Sequence, residues 1–150
     1  MLKKEITFED FEGNKVTQNF YFNITRAEAI EMDASAAGGL QNYAKAISEK
    51  KNPARVIGLI KDLILKSYGE KSDDGMRFMK SPEISAAFAA TDAYSVLFTE
   101  LLTNTQSLID FFVGIAPTDS KAKIKEEAKR LPKVEELIEE VKNDEGNSNT

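Results

Sequence analysis

The sequence contains neither cysteine nor histidine. Without thiols the chain can form no disulfide, no zinc-thiolate centre and no cysteine nucleophile. Without imidazole it lacks the side chain that most often transfers protons near neutral pH. Only carboxylates, lysines and serines therefore remain as candidate reactive groups, and the absence of cysteine is compatible with a reducing compartment.

Excess positive charge and long apolar runs are also absent. The net charge is -5 at pH 7, so no protein-wide positive field would attract the phosphates of nucleic acid. The apolar runs fall far short of the roughly 20 residues that a membrane helix needs. No apolar signal core follows Lys3 and Lys4. We therefore expect a soluble intracellular protein whose partners are neither nucleic acids nor membranes.

The chain has enough apolar residues for one compact domain. It has 150 residues, of which 41% are hydrophobic, and a second full domain would not fit comfortably. Ile6 and Phe8 alternate with polar neighbours, and residues 16–22 repeat this period of two. Glu12, Gly13 and Asn14 provide turn residues between the two runs. This pattern predicts an N-terminal β-hairpin.

Helix-start signals follow the hairpin. Thr25 and Glu28 have the spacing of a capping box, and this helix is expected to end near Ala34. Gly38 and Gly39 then predict a helix-helix turn, because no Gly-Lys-Ser/Thr sequence follows to make a phosphate loop. Asn52, Ser81 and Thr91 are further cap residues, and a helix is predicted to start at each of them.

The last predicted core helix covers residues 108–115, and Pro117 closes it. Residues 68–75 are expected to form an exposed loop. After Pro117 aromatic residues disappear and Lys and Glu dominate, so we place a boundary at Thr118. The predicted fold is α+β: residues 1–117 form a β-hairpin packed on a bundle of about six α-helices, and residues 118–150 form a charged tail, partly helical or disordered.

Candidate catalytic groups have simpler structural explanations. Asp73 and Asp74 form an acidic pair in a glycine-flanked loop, but a solvated turn explains them better than a metal site. Glu100 and Asp110 fall on the polar faces of their helices. Among the serines that follow lysines we considered Ser67, after Lys66, and Ser81, after Lys80, but Ser81 is better explained as a helix cap. We therefore assign no catalytic residue, no cofactor and no metal ligand.

The surplus of apolar residues is more informative. Residues 108–115 are apolar on more than one side, and they either complete the core or form a groove for a partner helix. A second apolar face follows in the predicted tail, where interaction is favoured. The predicted partner-binding residues are Leu108, Phe111, Phe112, Ile115, Val134, Leu137, Ile138 and Val141.

Two runs resemble a known family. They are FYFNITRAE at residues 20–28 and LILKSYGEKSDDG at residues 63–75, the second followed by Arg77, Phe78 and Lys80. Both are similar to sequences of phage tail assembly chaperones, the small proteins encoded ahead of the tape measure gene in long-tailed phages of Gram-positive hosts. The resemblance covers most of residues 1–117.

The resemblance implies a non-enzymatic protein of the host cytoplasm. Such a chaperone coats the aggregation-prone tape measure protein during tail assembly and is absent from the mature virion. It also implies a frameshifted longer form of the chain, while self-association into homo-oligomers is a further expectation. Two alternatives remain: a permanent structural component of the tail, and, ranked last, a hydrolase that uses carboxylates.

Overall fold

The computed structural model describes residues 1–49 and 52–135, and it confirms the α+β prediction. Four strands lie within this part of the chain: β1 Leu2–Glu9, β2 Lys15–Phe22, β3 Tyr68–Lys71 and β4 Phe78–Met79. Seven α-helices lie within it: α1 Arg26–Ala34, α2 Leu40–Ser48, α3 Pro53–Ser67, α4 Pro82–Ala89, α5 Asp92–Thr103, α6 Thr105–Ile115 and α7 Lys121–Ala128. A 3-10 turn, Thr118–Ser120, precedes α7.

The strands form one antiparallel sheet in the order β1-β2-β3-β4. The second hairpin corrects the predicted loop at residues 68–75. Strands of four and two residues are too short to show a clear alternation, so the sequence pattern did not reveal them. Gly69 allows the close pairing, because a Cβ atom there would lie 2.7 Å from Cε2 of Phe78.

Alternation along the first hairpin directs one face towards the helices. Ile6, Phe20 and Phe22 are buried on this face, and α5 packs against β1. The rings of Phe22 and Phe111 meet edge-on with centroids 5.3 Å apart. An aromatic cluster, kept under that name below, joins β2 to β3, α4 and α6; its members are Phe20, Phe22, Tyr68, Phe88 and Phe111.

The predicted helix starts are confirmed. The Thr25 hydroxyl accepts a hydrogen bond from the Glu28 N–H at 3.1 Å, and the Glu28 carboxylate accepts one from the Thr25 N–H at 3.0 Å. These two bonds satisfy donors that a helix start otherwise leaves unpaired. Side chains also cap α3, α4 and α5, at Asn52, Ser81 and Thr91.

Glycine residues mark two points of close chain approach. Gly38 has a φ of 75° in the turn between α1 and α2, which confirms the predicted helix-helix turn. Gly114 in α6 lies against Leu2 of β1, and a Cβ at Gly114 would lie 2.9 Å from Cδ1 of Leu2. The first strand is thereby packed directly onto the sixth helix.

The hydrophobic core does not stop at the predicted boundary, Thr118. Ile124, Ala128, Leu131 and Val134 all belong to the same core cluster as the aromatic residues. Ile124 and Ala128 lie four residues apart on one face of α7, and Leu131 and Val134 follow after that helix has ended. Charged residues occupy the positions between them, so the overall composition of the segment concealed an apolar stripe.

Candidate functional site

The predicted partner-binding residues of α6 lie inside the protein. Leu108, Phe112 and Ile115 are fully buried, and Phe111 is 2% exposed. Val134 is also buried. The folded chain itself covers these side chains, which agrees with the first of the two readings for residues 108–115, completion of the core, and partner binding by these residues stays a prediction. Leu137, Ile138 and Val141 lie outside the described residues.

Polar bonds fix α6 at both ends. The Asn104 side-chain oxygen accepts a hydrogen bond from the Ser107 N–H at 3.0 Å and caps the start of the helix. At the other end, Lys121 Nζ donates to the carbonyl oxygens of Val113, at 2.7 Å, and Gly114, at 3.3 Å. A cation at a helix C-terminus satisfies free carbonyls and matches the negative end of the dipole. Burial lowers the pKa of the Lys121 ammonium group.

The apolar stripe of α7 lies in a groove between α2 and α6, which we call the α2-α6 groove. Leu40, Tyr43, Ala44 and Ile47 are the buried residues of α2, and Leu108, Phe111, Phe112 and Ile115 are those of α6. Helix α7 contacts both helices. A cleft of about 150 Å³ remains at one end of this seam, and its lining includes Leu40, Pro117 and Ile124.

Exposed apolar side chains lie at the two hairpin turns. Phe11 in the β1-β2 turn is 85% exposed, and Met76 in the β3-β4 turn is 80% exposed. The Asp10 carboxylate holds the first turn by accepting bonds from the N–H groups of Glu12 and Asn14. The Phe11 side chain therefore projects from a turn that is itself well ordered by hydrogen bonds.

Both turns are at the same end of the sheet. Because the strands are antiparallel, the chain reverses at this end after β1 and again after β3. Extending the register of Tyr21 with Gly69 places Lys71 level with Asn19, which lies four residues inside β2 from its first residue, Lys15. The first hairpin therefore extends beyond the second by roughly 13 Å, at about 3.3 Å per residue. We call the surface formed by Phe11 and Met76 the turn surface.

The candidate carboxylates are engaged in local contacts. Asp74 accepts hydrogen bonds from the Ser72 hydroxyl at 2.6 Å and from the Met76 N–H at 3.0 Å. These bonds, the one from Ser72 foremost, lower the pKa of the Asp74 carboxyl group. Glu100 pairs with Lys4 at 3.2 Å, and Asp110 accepts a bond from Gln106. Among the described residues, no group of three or more acidic side chains could hold a metal ion.

The serines that follow lysines have structural roles. The Ser67 hydroxyl is buried and donates to the carbonyl oxygens of Leu63 and Ile64 in its own helix. Ser81 caps α4 by accepting from the Ile84 N–H at 3.1 Å. Neither serine contacts the lysine beside it through a hydrogen bond that would activate the hydroxyl as a nucleophile.

Lys80 instead joins three separate parts of the fold. Its Nζ donates to the Asn23 carbonyl oxygen at 2.6 Å and to the Glu28 carboxylate at 2.7 Å. Burial would raise the pKa of the Glu28 carboxyl group, but the bonds from Lys80 and from the Thr25 N–H outweigh it and hold that pKa below its usual value. Burial lowers the pKa of the Lys80 ammonium group, and Glu28 only partly offsets this effect.

A second polar cluster connects α2 to α3. The Tyr43 hydroxyl donates to Asp62 and accepts from Lys66 Nζ at 3.1 Å. Burial, followed by the hydrogen bond to Asp62, raises the pKa of the Tyr43 hydroxyl. The raised pKa keeps the Tyr43 hydroxyl protonated at neutral pH, and the cluster connects two helices through hydrogen bonds.

Comparison with known proteins identifies a family. Within the described residues, no helix has both the length and the apolar character needed to cross a membrane. No curated protein and no solved structure matches the chain. A family model described as phage tail assembly chaperone matches residues 1–150, the whole chain. The chain therefore belongs to the phage tail assembly chaperone family.

Proposed function

We propose that this protein binds the tape measure protein in the host cytoplasm and keeps it soluble until tail subunits replace it. Membership of the tail assembly chaperone family supports an assembly role with protein partners. A holding chaperone needs reversible apolar contacts and enough net charge to keep the complex in solution. The net charge of -5 and the exposed side chains described above are suited to this task.

The turn surface is the proposed first contact, and it is the observation on which this proposal rests. Phe11 and Met76 are the two most exposed of the large apolar side chains in the described part of the chain. Both turns lie at the same end of the sheet, so an apolar segment that spans the offset of roughly 13 Å between them can contact both. Methionine adapts to irregular surfaces, and phenylalanine contributes a large apolar area.

Co-expression with the tape measure protein of the same phage tests the proposal. The wild-type chain should keep that partner in the soluble fraction, and the double substitution Phe11→Ser with Met76→Ser should reduce the soluble yield several-fold. Ile30→Ser is the matched control, because Ile30 is 62% exposed but lies on α1. An equal loss of yield in the control, or none in the double variant, would contradict the role of the turn surface.

Mass spectrometry of purified particles separates a departing chaperone from a structural tail component. We expect the chain to be absent from mature virions and present in lysates during assembly. A stoichiometric amount in virions would instead support a permanent role in the tail. The frameshifted longer form and self-association stay predictions, to be checked by mass spectrometry and by light scattering of the purified chain.

A further inference from the structure

Helix α7 lies on the α2-α6 groove in the way that a bound partner helix lies on the surface of another protein. The segment covers the groove with aliphatic side chains, and Ala128 at its middle is fully buried. Helix α7 packs chiefly on α2 and α6. Its removal would uncover those two helices while leaving the sheet, α3, α4 and α5 in their own contacts.

The attachment of α7 depends on its packing against α2 and α6, since the helix has little stability of its own. Five of its eight residues are charged, and no side chain caps its start. An isolated helix of this length is not stable in water, so packing must hold it in place. Side-chain polar ties of the segment to other helices lie at its ends: Lys121 at α6, the Arg26 pair with Asp119 at 3.2 Å, and the Thr105 hydroxyl on the Pro132 carbonyl at 3.4 Å.

We propose that the α2-α6 groove is a docking site for an amphipathic helix of the tape measure protein, and that residues 121–134 are its removable internal occupant. This inference rests on the proposed function and extends it. The partner helix replaces α7 and contacts the α6 residues that the sequence pattern singled out. The apparent affinity of the chain for the partner helix then equals the intrinsic affinity of the open groove multiplied by the fraction of time that the groove is free of α7.

The occupant indicates the chemistry of the partner helix. Ile124 and Ala128 are the buried residues of α7 and lie four positions apart, so the partner helix should carry apolar side chains at the same spacing. The second position must be small, because Ala128 has no exposed surface and a larger side chain there would collide with the groove. The opposite face of the partner helix should be polar, as it is in α7, because that face meets water.

An engineered disulfide provides the first test. Thr105 and Pro132 are already in contact, and the chain has no native cysteine to interfere. In Thr105→Cys with Pro132→Cys, oxidation should lock the segment over the groove. Tape measure protein diluted from urea is mixed with the purified variant, and the soluble amount is measured. We expect at least about tenfold less soluble partner with the oxidised form, and recovery when the same sample is reduced.

Substitutions that loosen the occupant give the opposite effect and do not depend on disulfide formation. Ile124→Ser with Leu131→Ser should raise the amount of bound tape measure protein several-fold. The control, Lys123→Ser with Arg130→Ser, changes the preceding exposed residues and should leave binding unchanged. A peptide of residues 118–135 should compete with the partner for the loosened variant, and the same peptide carrying both serines should not.

The outcomes separate this inference from the proposed function. If the wild-type chain fails to keep the tape measure protein soluble, the proposed function is wrong. If the wild-type chain succeeds but neither locking nor loosening α7 changes binding, the groove is not the docking site and only this inference is overturned. Dimerisation of the loosened variant without any gain in partner binding would also overturn it, because a second copy would then be the occupant.

Discussion

The aromatic cluster and the α7 seam bury side chains equally well but are built differently. In the aromatic cluster, large rings from two strands and two helices interlock, and the rings of Tyr68 and Phe88 stack at 4.1 Å. On the α7 side, the seam contains only aliphatic side chains, which come from one short charged segment and cover the groove that includes Tyr43, Phe111 and Phe112. The comparison teaches that low exposure does not by itself distinguish a permanent core from a separable contact, because stability also depends on how many elements meet there.

The largest expected effect is in the aromatic cluster. Phe22→Ala should lower the free energy of unfolding by about 4 kcal/mol, because it removes a fully buried ring and leaves a cavity. Tyr21→Ala, on the opposite face of the same strand, should cost less than about 1 kcal/mol. Urea denaturation followed by circular dichroism measures both values. Similar losses in the two variants would mean that the cluster is not the stable centre.

A matched pair of isoleucines compares the two regions directly. Ile60 in α3 and Ile124 in α7 are both buried, at 0% and 3% exposure. Ile60→Ala should cost about 3 kcal/mol, whereas Ile124→Ala should cost about 1 to 2 kcal/mol, because α7 can detach before the rest unfolds. Urea denaturation measures the difference. Equal losses would place α7 in the same cooperative unit as α3.

The ion pair of Glu28 with Lys80 gives a smaller effect that depends on pH. Glu28→Gln keeps the capping oxygen but removes the charge, and it should cost about 1 kcal/mol at pH 7, since the pair is only partly buried. The folded-state pKa of Glu28 is lowered, so its stabilisation is present above the unfolded value near 4.5 and is lost as the pH falls through the folded value. The difference between Glu28→Gln and wild type should therefore shrink towards zero in strong acid.

Urea denaturation at neutral pH and at about pH 3 checks this sign, because Glu28 is increasingly protonated over that interval. Glu31→Gln, at an exposed position of the same helix, serves as the control. A loss that stayed constant between the two pH values would show that the carboxylate charge of Glu28 is not the stabilising feature.

The smallest effect on stability is expected at the turn surface. Phe11→Ser with Met76→Ser should change the free energy of unfolding by less than about 0.5 kcal/mol for each substitution, because both side chains are in water. Thermal unfolding measures this. A large drop in the midpoint would show that the two side chains stabilise the fold. A lower yield of soluble tape measure protein with this variant would then reflect a less stable chain and not a lost contact.

The sequence predicted most of the fold because its signals are local. Thr25 with Glu28, and Ser81 before Pro82, mark helix starts through bonds to neighbouring residues. The first hairpin was visible from alternation over eight residues. The second was missed because its strands are shorter, although Asp74-Gly75 is a turn signal that could have indicated it.

The site was harder to predict because hydrophobicity alone does not reveal what covers a surface. Phe111 and Phe112 were singled out as part of an apolar surplus, but the segment that covers them was assigned to a tail on composition. The spacing of Ile124, Ala128 and Leu131 could have revealed it. Phe11 was overlooked because a single phenylalanine in a turn has no period to detect.

The contact of Leu2 with Gly114 has a consequence for synthesis on the ribosome. The strand that is made first reaches its native neighbour only after α6 has emerged, which at 5 to 20 residues per second is a delay of roughly 5 to 20 seconds. For most of this interval, until α5 has been made, the inner face of β1 also lacks the helix that packs against it in the folded chain. The nascent chain thus exposes an apolar strip of its own before its fold is complete.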